Sequence, residues 1–250
     1  MKIIINADDL GLSSKVNSSI FMLLDENKIT SSTLIVNGPA FVEAVKNIPI
    51  YSHASFGIHL NLTQFAPLTS ADIFFETNLV NEEGNFTANI RSVYPSETMK
   101  QAIYTELKEQ VSRARDCGIK ISHLDSHHHI HTVPWLFTIL KKVQKTFNIR
   151  KVRITKNQYS INDRISKKLL LSKKLWNLAL RNIYSTKTTD YFTDFISFVE
   201  QSNTGTYSVQ DSAELMCHPG SNNVEEEYLL NSNWIENLPF AVELISYNQL

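Results

Sequence analysis

The strongest constraint in this chain is a repeated switch of hydrophobic period. Short β-rich apolar runs alternate, along most of its 250 residues, with stretches whose apolar positions recur at helical spacing. The β-rich runs fall at residues 2–6, 32–36, 55–60, 120–124, 151–154, 194–198, 213–217 and 241–246. Helical patterns lie at 13–27, 40–47, 96–117, 134–147, 166–184 and 223–237. Strands alternating with helices predict a parallel sheet with its helices outside. Six to eight such units favour a closed or nearly closed barrel, with an open doubly wound sheet as the alternative. Helix ends are signalled as well. Ser13 or Ser14 can cap the first helix, and Gly118 stands where a left-handed C-terminal residue is wanted. Pro95-Ser96-Glu97 opens the third helix, with Ile103, Leu107 and Val111 as its apolar stripe. No internal repeat or linker interrupts the pattern, so residues 1–250 read as a single domain. Between about Thr63 and Pro95 no strand is legible, which predicts a long functional loop above the strand ends.

Composition removes several function classes. Hydrophobic residues make up 42% and charged residues 20%, ordinary for a globular protein with a real core. A formal net charge of -1 gives no global attraction to nucleic acid or to an anionic membrane. No apolar run approaches the roughly 20 residues needed to span a bilayer. Met1-Lys2-Ile3-Ile4-Ile5 reads as a strand rather than a secretory signal, so a cytoplasmic location is expected. Cys117 and Cys217 are then expected to be buried thiols.

The polar residues gather where the expected strands finish. Asp8-Asp9 ends the first, His59 ends the third, and Asp125-Ser126-His127-His128-His129-Ile130-His131 follows the fourth. Arg153 closes the fifth, and His218 follows Leu215-Met216-Cys217. In an α/β barrel these ends share one rim, where active sites form. Asp8-Asp9 can bind a metal, act as a general base, or do one of each; the alternatives are a turn before Gly11 or a phosphate-receiver site. Five of the chain's 8 histidines lie between His123 and His131. In an extended chain Asp125, His127, His129 and His131 share one face, offering metal ligands and the partners that fix their tautomers. His218, before Pro219-Gly220, suits a general acid, while Cys217 points to the opposite face and reads as packing. A carboxylate and imidazoles around one ion leave positions for water and a substrate carbonyl, which is hydrolytic chemistry.

These blocks, in this order, resemble the YdjC family of carbohydrate deacetylases. The matching pieces are Asn6-Ala7-Asp8-Asp9-Leu10-Gly11, residues 31–38, residues 57–63, residues 123–131, residues 214–220 and the tail at 243–247. The resemblance implies a distorted TIM-like (β/α) barrel related to NodB-type polysaccharide deacetylases. It implies that Asp9, His59 and His127 hold a divalent ion, magnesium or zinc, and that Asp8 is the base on its bound water. His218 would then protonate the leaving amine, and Arg153 would orient Asp8. The implied substrate is an N-acetylated amino sugar or chitooligosaccharide, with no nucleic-acid or membrane partner and with a homodimer as one admissible assembly. Leu10 departs from the family's usual Phe, and the match is weak from about Ser160 to Ser208. The competing functions are a metal-dependent phosphoesterase on the same barrel and a non-catalytic sugar-binding protein. The roles of His128, His129 and His131 are left open.

Overall fold

The computed structural model describes residues 1–159, 163–204 and 211–250. The chain opens with β1 (Lys2–Leu10), α1 (Ser14–Asp25), β2 (Ser31–Leu34), α2 (Phe41–Asn47) and β3 (Ser55–Leu60). A short α3 (Asp72–Glu76) precedes α4 (Glu97–Asp116), β4 (Ile121–Ser126), α5 (Phe137–Phe147) and α6 (Lys167–Asn182). Then come β5 (Tyr191–Asp194), α7 (Phe195–Asn203), β6 (Ser212–Cys217), α8 (Val224–Asn231) and β7 (Glu243–Leu244). The strands form one parallel sheet in the order β4-β3-β2-β1-β6-β5, with β7 added beside the start of β1. The sheet curls into a half-barrel. Its open side is bridged by the segment around Arg153, which pairs with β4 through Leu124 and Val152 and reaches Lys187 through Lys151.

Alternation along the strands sorts residues into two environments. On β1, Ile3, Ile5 and Ala7 join the large apolar core between sheet and helices, whereas Ile4 packs with Ile245 and Tyr247 in a separate small cluster. Ala213, Leu215 and Cys217 of β6 likewise face the helices, and Leu124 of β4 does the same. The intervening positions, Asn6, Asp8, Thr33, His59, His123, Asp125 and Glu214, are buried yet polar. They turn into the hollow of the barrel, and that period of two is what aims the chemistry at one place.

Local signals account for the element ends. Ser13 and Ser96 accept backbone N–H groups of Val16 and Met99 at 3.2 and 3.1 Å, closing the first turns of α1 and α4. Ile103, Leu107 and Val111 are buried, as their stripe requires, and Gly118 takes the left-handed φ of 82° after α4. The run at 194–198 corrects the sequence expectation. The strand there is Tyr191–Asp194, and Phe195-Ile196-Ser197-Phe198 begins a helix. Asp194 accepts the Ser197 N–H at 2.8 Å as a helix cap, and Phe195, Ile196, Phe198 and Val199 recur at helical rather than strand spacing. Cys217 is buried as expected, but Cys117 is exposed, because it lies just past the end of α4 at the surface. No helix among the described residues is long and apolar enough to cross a membrane.

The segment between Thr63 and Pro95 is a folded flap rather than an open loop. Phe74, Leu79, Val80, Phe86 and Ile90 bury their side chains within it, and Val80 bridges Phe86. Glu106 of α4 anchors its base by accepting the backbone N–H groups of Leu68 and Thr69 at 3.1 and 2.9 Å. The flap thereby sets Thr63, Gln64 and Arg91 against the histidine block.

Candidate metal centre

Asp8 and Asp9 are consecutive, so a regular strand would send them to opposite faces. A register shift between Ala7 and Leu10, with Asp9 at φ 71°, breaks that alternation and turns both carboxylates toward His59. A non-glycine residue in this left-handed region is strained, and such strain concentrates at functional sites. Asp9 Oδ1 lies 2.8 Å from His127 Nδ1 and 3.3 Å from His59 Nε2. Asp8 Oδ2 is 3.9 Å from the same His59 nitrogen.

The other ring nitrogens are already committed. His59 Nδ1 donates to Asp125 Oδ1 at 2.7 Å, which leaves Nε2 as its lone-pair nitrogen. His127 Nε2 lies 3.0 Å from Gln64 Oε1, and in the tautomer that donates a hydrogen there Nδ1 is the lone-pair nitrogen. Two lone pairs and a carboxylate oxygen therefore converge, and Asp9 Oδ1 is buried with no hydrogen-bond donor of its own. With both imidazoles in those neutral tautomers the arrangement is repulsive unless a cation lies among them. Asp9, His59 and His127 offer ligand atoms within 4.8 Å of one another and could hold a metal ion. The donor set, one carboxylate and two imidazoles, suits zinc at least as well as magnesium. A proton competes for the same place. Burial alone would lower the His59 imidazole, but Asp125 and Asp8 beside it lift it to about 10.

Behind these residues a fully buried Arg153 takes three carboxylates. Its Nη1 and Nη2 each donate at 2.6 Å to an oxygen of Asp8, its Nη1 is 2.8 Å from Asp125, and its Nε donates to Glu214 at 2.8 Å. Phe192 covers the guanidinium, with its ring centre 4.8 Å from Cζ. Asn6 donates to Asp8 at 2.8 Å, and Thr33 donates to Asp125 at 3.0 Å. Burial pushes the Asp8 carboxyl up, but the Arg153 guanidinium and His59 outweigh it and hold it well below the usual carboxylate range. Asp9 is likewise held low against its burial by His127 and His59. Asp8 is thus an ionised carboxylate in a fixed orientation.

His218 follows Cys217, whose register partner is Ala7, so it stands at the strand ends beside Asp8. It is near enough for its charge to bear on the Asp8 carboxyl. Its backbone N–H donates to Glu226 of α8 at 2.6 Å. All six residues singled out from the sequence, Asp8, Asp9, His59, His127, Arg153 and His218, thus gather at one end of the barrel.

The histidine block departs from the extended reading. The strand stops at Ser126, and residues 127–132 wind into a tight turn in which His128 and His129 both take left-handed backbone angles. Only His127 reaches Asp9. His128 is paired with Thr63 at the surface, and His131 is buried against Ser126. His129 sits between Phe192 and a cavity of about 400 Å³ lined by Arg91, Lys156, Lys173, Trp176 and Phe192. Burial, with Arg153 nearby, lowers the His129 imidazole to about 3, so it is neutral. Of the aromatic residues that could meet a sugar, Tyr94 is fully exposed and Trp234 is buried against Phe195 and Phe198. Trp135 is only partly buried and packs against the core.

Sequence reading missed Glu214, Gln64 and Thr33. Glu214 had a visible signal: an acid in the middle of the apolar run Ala213-Glu214-Leu215-Met216-Cys217 demands a buried partner. Gln64 had none, since its role depends on how the flap folds back.

Relatives are consistent with this architecture. A carbohydrate deacetylase of Vibrio cholerae is 38% identical over 149 residues, which is 60% of this chain and 57% of that protein. One from Brevibacillus brevis is 36% identical over 152 residues, 60% of this chain and 58% of its own length. The matched stretch therefore spans a little over half of these curated relatives. The fold is shared with an Enterococcus faecalis V583 crystal structure, a protein whose assigned role of cellobiose-phosphate cleavage is itself provisional. That match has a TM-score of 0.75 at 21% identity and covers 99% of this chain and 98% of the other. Residues 2–243 match the YdjC-like protein family, and the chain belongs to that family.

Proposed function

We propose that this chain is a metal-dependent carbohydrate deacetylase that hydrolyses the N-acetyl group of a mono- or oligosaccharide, releasing acetate and a free amine. The observation that carries the reading is Asp9 Oδ1, flanked by His127 Nδ1 at 2.8 Å and His59 Nε2 at 3.3 Å, beside an Asp8 locked by Arg153. Asp9, His59 and His127 would hold the ion. When bound, a divalent ion supplies a Lewis acid that makes water nucleophilic at neutral pH and polarises the amide carbonyl. Asp8, ionised and immobile, accepts the proton lost by the attacking water. Asp125 and Gln64 keep the two imidazoles in the tautomers that face the ion. His218 gives a proton to the departing nitrogen as the C–N bond breaks. The cavity beside His129 accommodates the sugar, with Trp176 and Phe192 in its wall. The relatives named carbohydrate deacetylases support the substrate class.

The test is acetate release from diacetylchitobiose, with and without a chelator. We expect turnover that chelation abolishes and that His127→Ala lowers by at least about a hundredfold. Activity that survives both treatments would sink the mechanism. Arg91, Lys156 and Lys173 on the cavity give the phosphoesterase alternative its only support. Each is already engaged: Arg91 by backbone carbonyls, Lys156 by Asp194 and Lys173 by Tyr159. A parallel assay on a phosphate monoester separates the two.

A further inference from the structure

The hollow of the barrel is not filled by apolar layers. From the candidate metal centre, a file of hydrogen-bonded groups runs down to the opposite end. Arg153 donates two bonds to Asp8 and one, through Nε, to Glu214 Oε1. The other Glu214 oxygen accepts the hydroxyl of Tyr247. Glu214 and Tyr247 are both fully buried, and Glu214 lies on β6 opposite Ile4, four residues before Asp8 on the neighbouring strand.

Tyr247 is itself clamped. Its ring stacks on His123 with centroids 3.5 Å apart and planes 10° from parallel. Its N–H donates to Ser55 Oγ at 3.0 Å, and Lys151 donates to its carbonyl. The turn that carries it is closed by reciprocal bonds between Ser246 and Gln249. Gly57 leaves no slack above His123, because a Cβ there would come within 2.5 Å of the imidazole Cε1. A buried phenol so fixed can hold Glu214 in one rotamer, and Glu214 in turn fixes the only guanidinium nitrogen that Asp8 and Asp125 do not use.

We propose that Tyr247 and Glu214 are positioning residues, which set the orientation of Asp8 through Arg153 and so link the carboxy-terminal turn to the chemistry at the far end of the barrel. The proposal rests on the deacetylase reading for the role of Asp8. It follows from the geometry of a planar guanidinium. Asp8 and Asp125 engage only Nη1 and Nη2, so without the Nε anchor the plane can tilt about that edge and carry Asp8 with it. Phe192 covers the guanidinium without supplying a hydrogen-bond partner.

Tyr247→Phe tests this, because it keeps the ring stack on His123 and deletes one hydroxyl. We expect the variant to fold with a modestly lowered melting temperature, because the buried Glu214 loses a donor, and with unchanged zinc affinity by calorimetry. Its kcat on diacetylchitobiose should fall roughly tenfold at constant KM, the usual loss when a supporting partner is removed. The Arg153 Nε–H proton, followed in protein labelled with ¹⁵N-arginine, should exchange with solvent at least about ten times faster. Glu214→Gln, which still accepts from Nε, should keep more activity than Glu214→Leu. Wild-type kcat and wild-type Arg153 exchange in Tyr247→Phe would overturn the coupling. So would a kcat loss matched by an equal loss of zinc affinity or of the fraction folded under assay conditions, which would make Tyr247 merely structural. Absence of acetate release from the wild-type protein would instead overturn the functional reading, and the exchange measurement would still decide whether the link to Arg153 exists.

Discussion

The two faces of the same strands obey different rules. Ile3, Ile5 and Ala7 of β1 look outward into an apolar layer under the helices, while Asn6 and Asp8, between and beyond them, look inward at Arg153, Thr33 and His59. The outer face holds the molecule together, since each buried leucine or isoleucine there contributes about 1.5–3 kcal/mol. The inner face does not add stability in that way. A buried guanidinium among three carboxylates is tolerable only because every one of its nitrogens has a partner, and a well-packed apolar replacement would hold a barrel at least as firmly. On the proposed function, polar groups are kept inside because the reaction would need charges at fixed places.

This division can be broken first from the outside. Leu107→Ala, in the stripe of α4, should lose about 2–5 kcal/mol in urea unfolding while the folded fraction turns over at the wild-type rate. A large fall in kcat of the folded protein would show that the outer layer also tunes the site. Gly57→Ala probes the inner face. With a Cβ forced to 2.5 Å from His123, about 1–3 kcal/mol should be lost, together with kcat, because His123 stacks on Tyr247. If both measurements match the wild-type protein, the hollow is softer than its geometry implies.

The smallest effect lies at the boundary, where Asp194 caps α7. Burial pushes its carboxyl up, but Lys156 and the Ser197 donors outweigh this and hold it below the ordinary value of 3.8. A lowered folded pKa means stability that is fully present above 3.8 and lost as pH falls through the folded value. Asp194→Asn keeps a capping oxygen and removes the charge, so it should cost about 0.5–1 kcal/mol at neutral pH. The two unfolding curves should converge in acid, and a constant gap at every pH would exclude the charge as the cause.

The outer face was legible in the sequence because hydrophobic period is a local property. The expected strand at residues 55–60 and the stripe Ile103, Leu107, Val111 appear where the period places them. At 194–198 a short apolar run that read as a strand is instead the first turn of a helix capped by Asp194. At the site, the strand-end positions of His59 and His218 could be read from the same periodicity, whereas the strand expected at 151–154 is reduced to isolated bridges at Lys151 and Val152 just before Arg153. The turn of the histidine block could not, because its left-handed His128 and His129 are imposed by tertiary contacts, including Arg91 of the flap bonding the carbonyls of both. Nor could the route from Tyr247 to Asp8, which joins segments more than two hundred residues apart.

That separation reaches back to how the chain is made. β1 lies in the middle of the sheet, yet among the described residues one long edge of it is covered by β6 alone, whose Ser212 aligns with Lys2. At ribosomal speeds of about 5–20 residues per second, the first strand waits on the order of 10–40 seconds for that neighbour. Throughout that interval Ile3-Ile4-Ile5 offers a bare ribbon to any other nascent polypeptide. Yield in a heterologous host should therefore be governed less by the final stability of the barrel than by how well chaperones shield its opening segment.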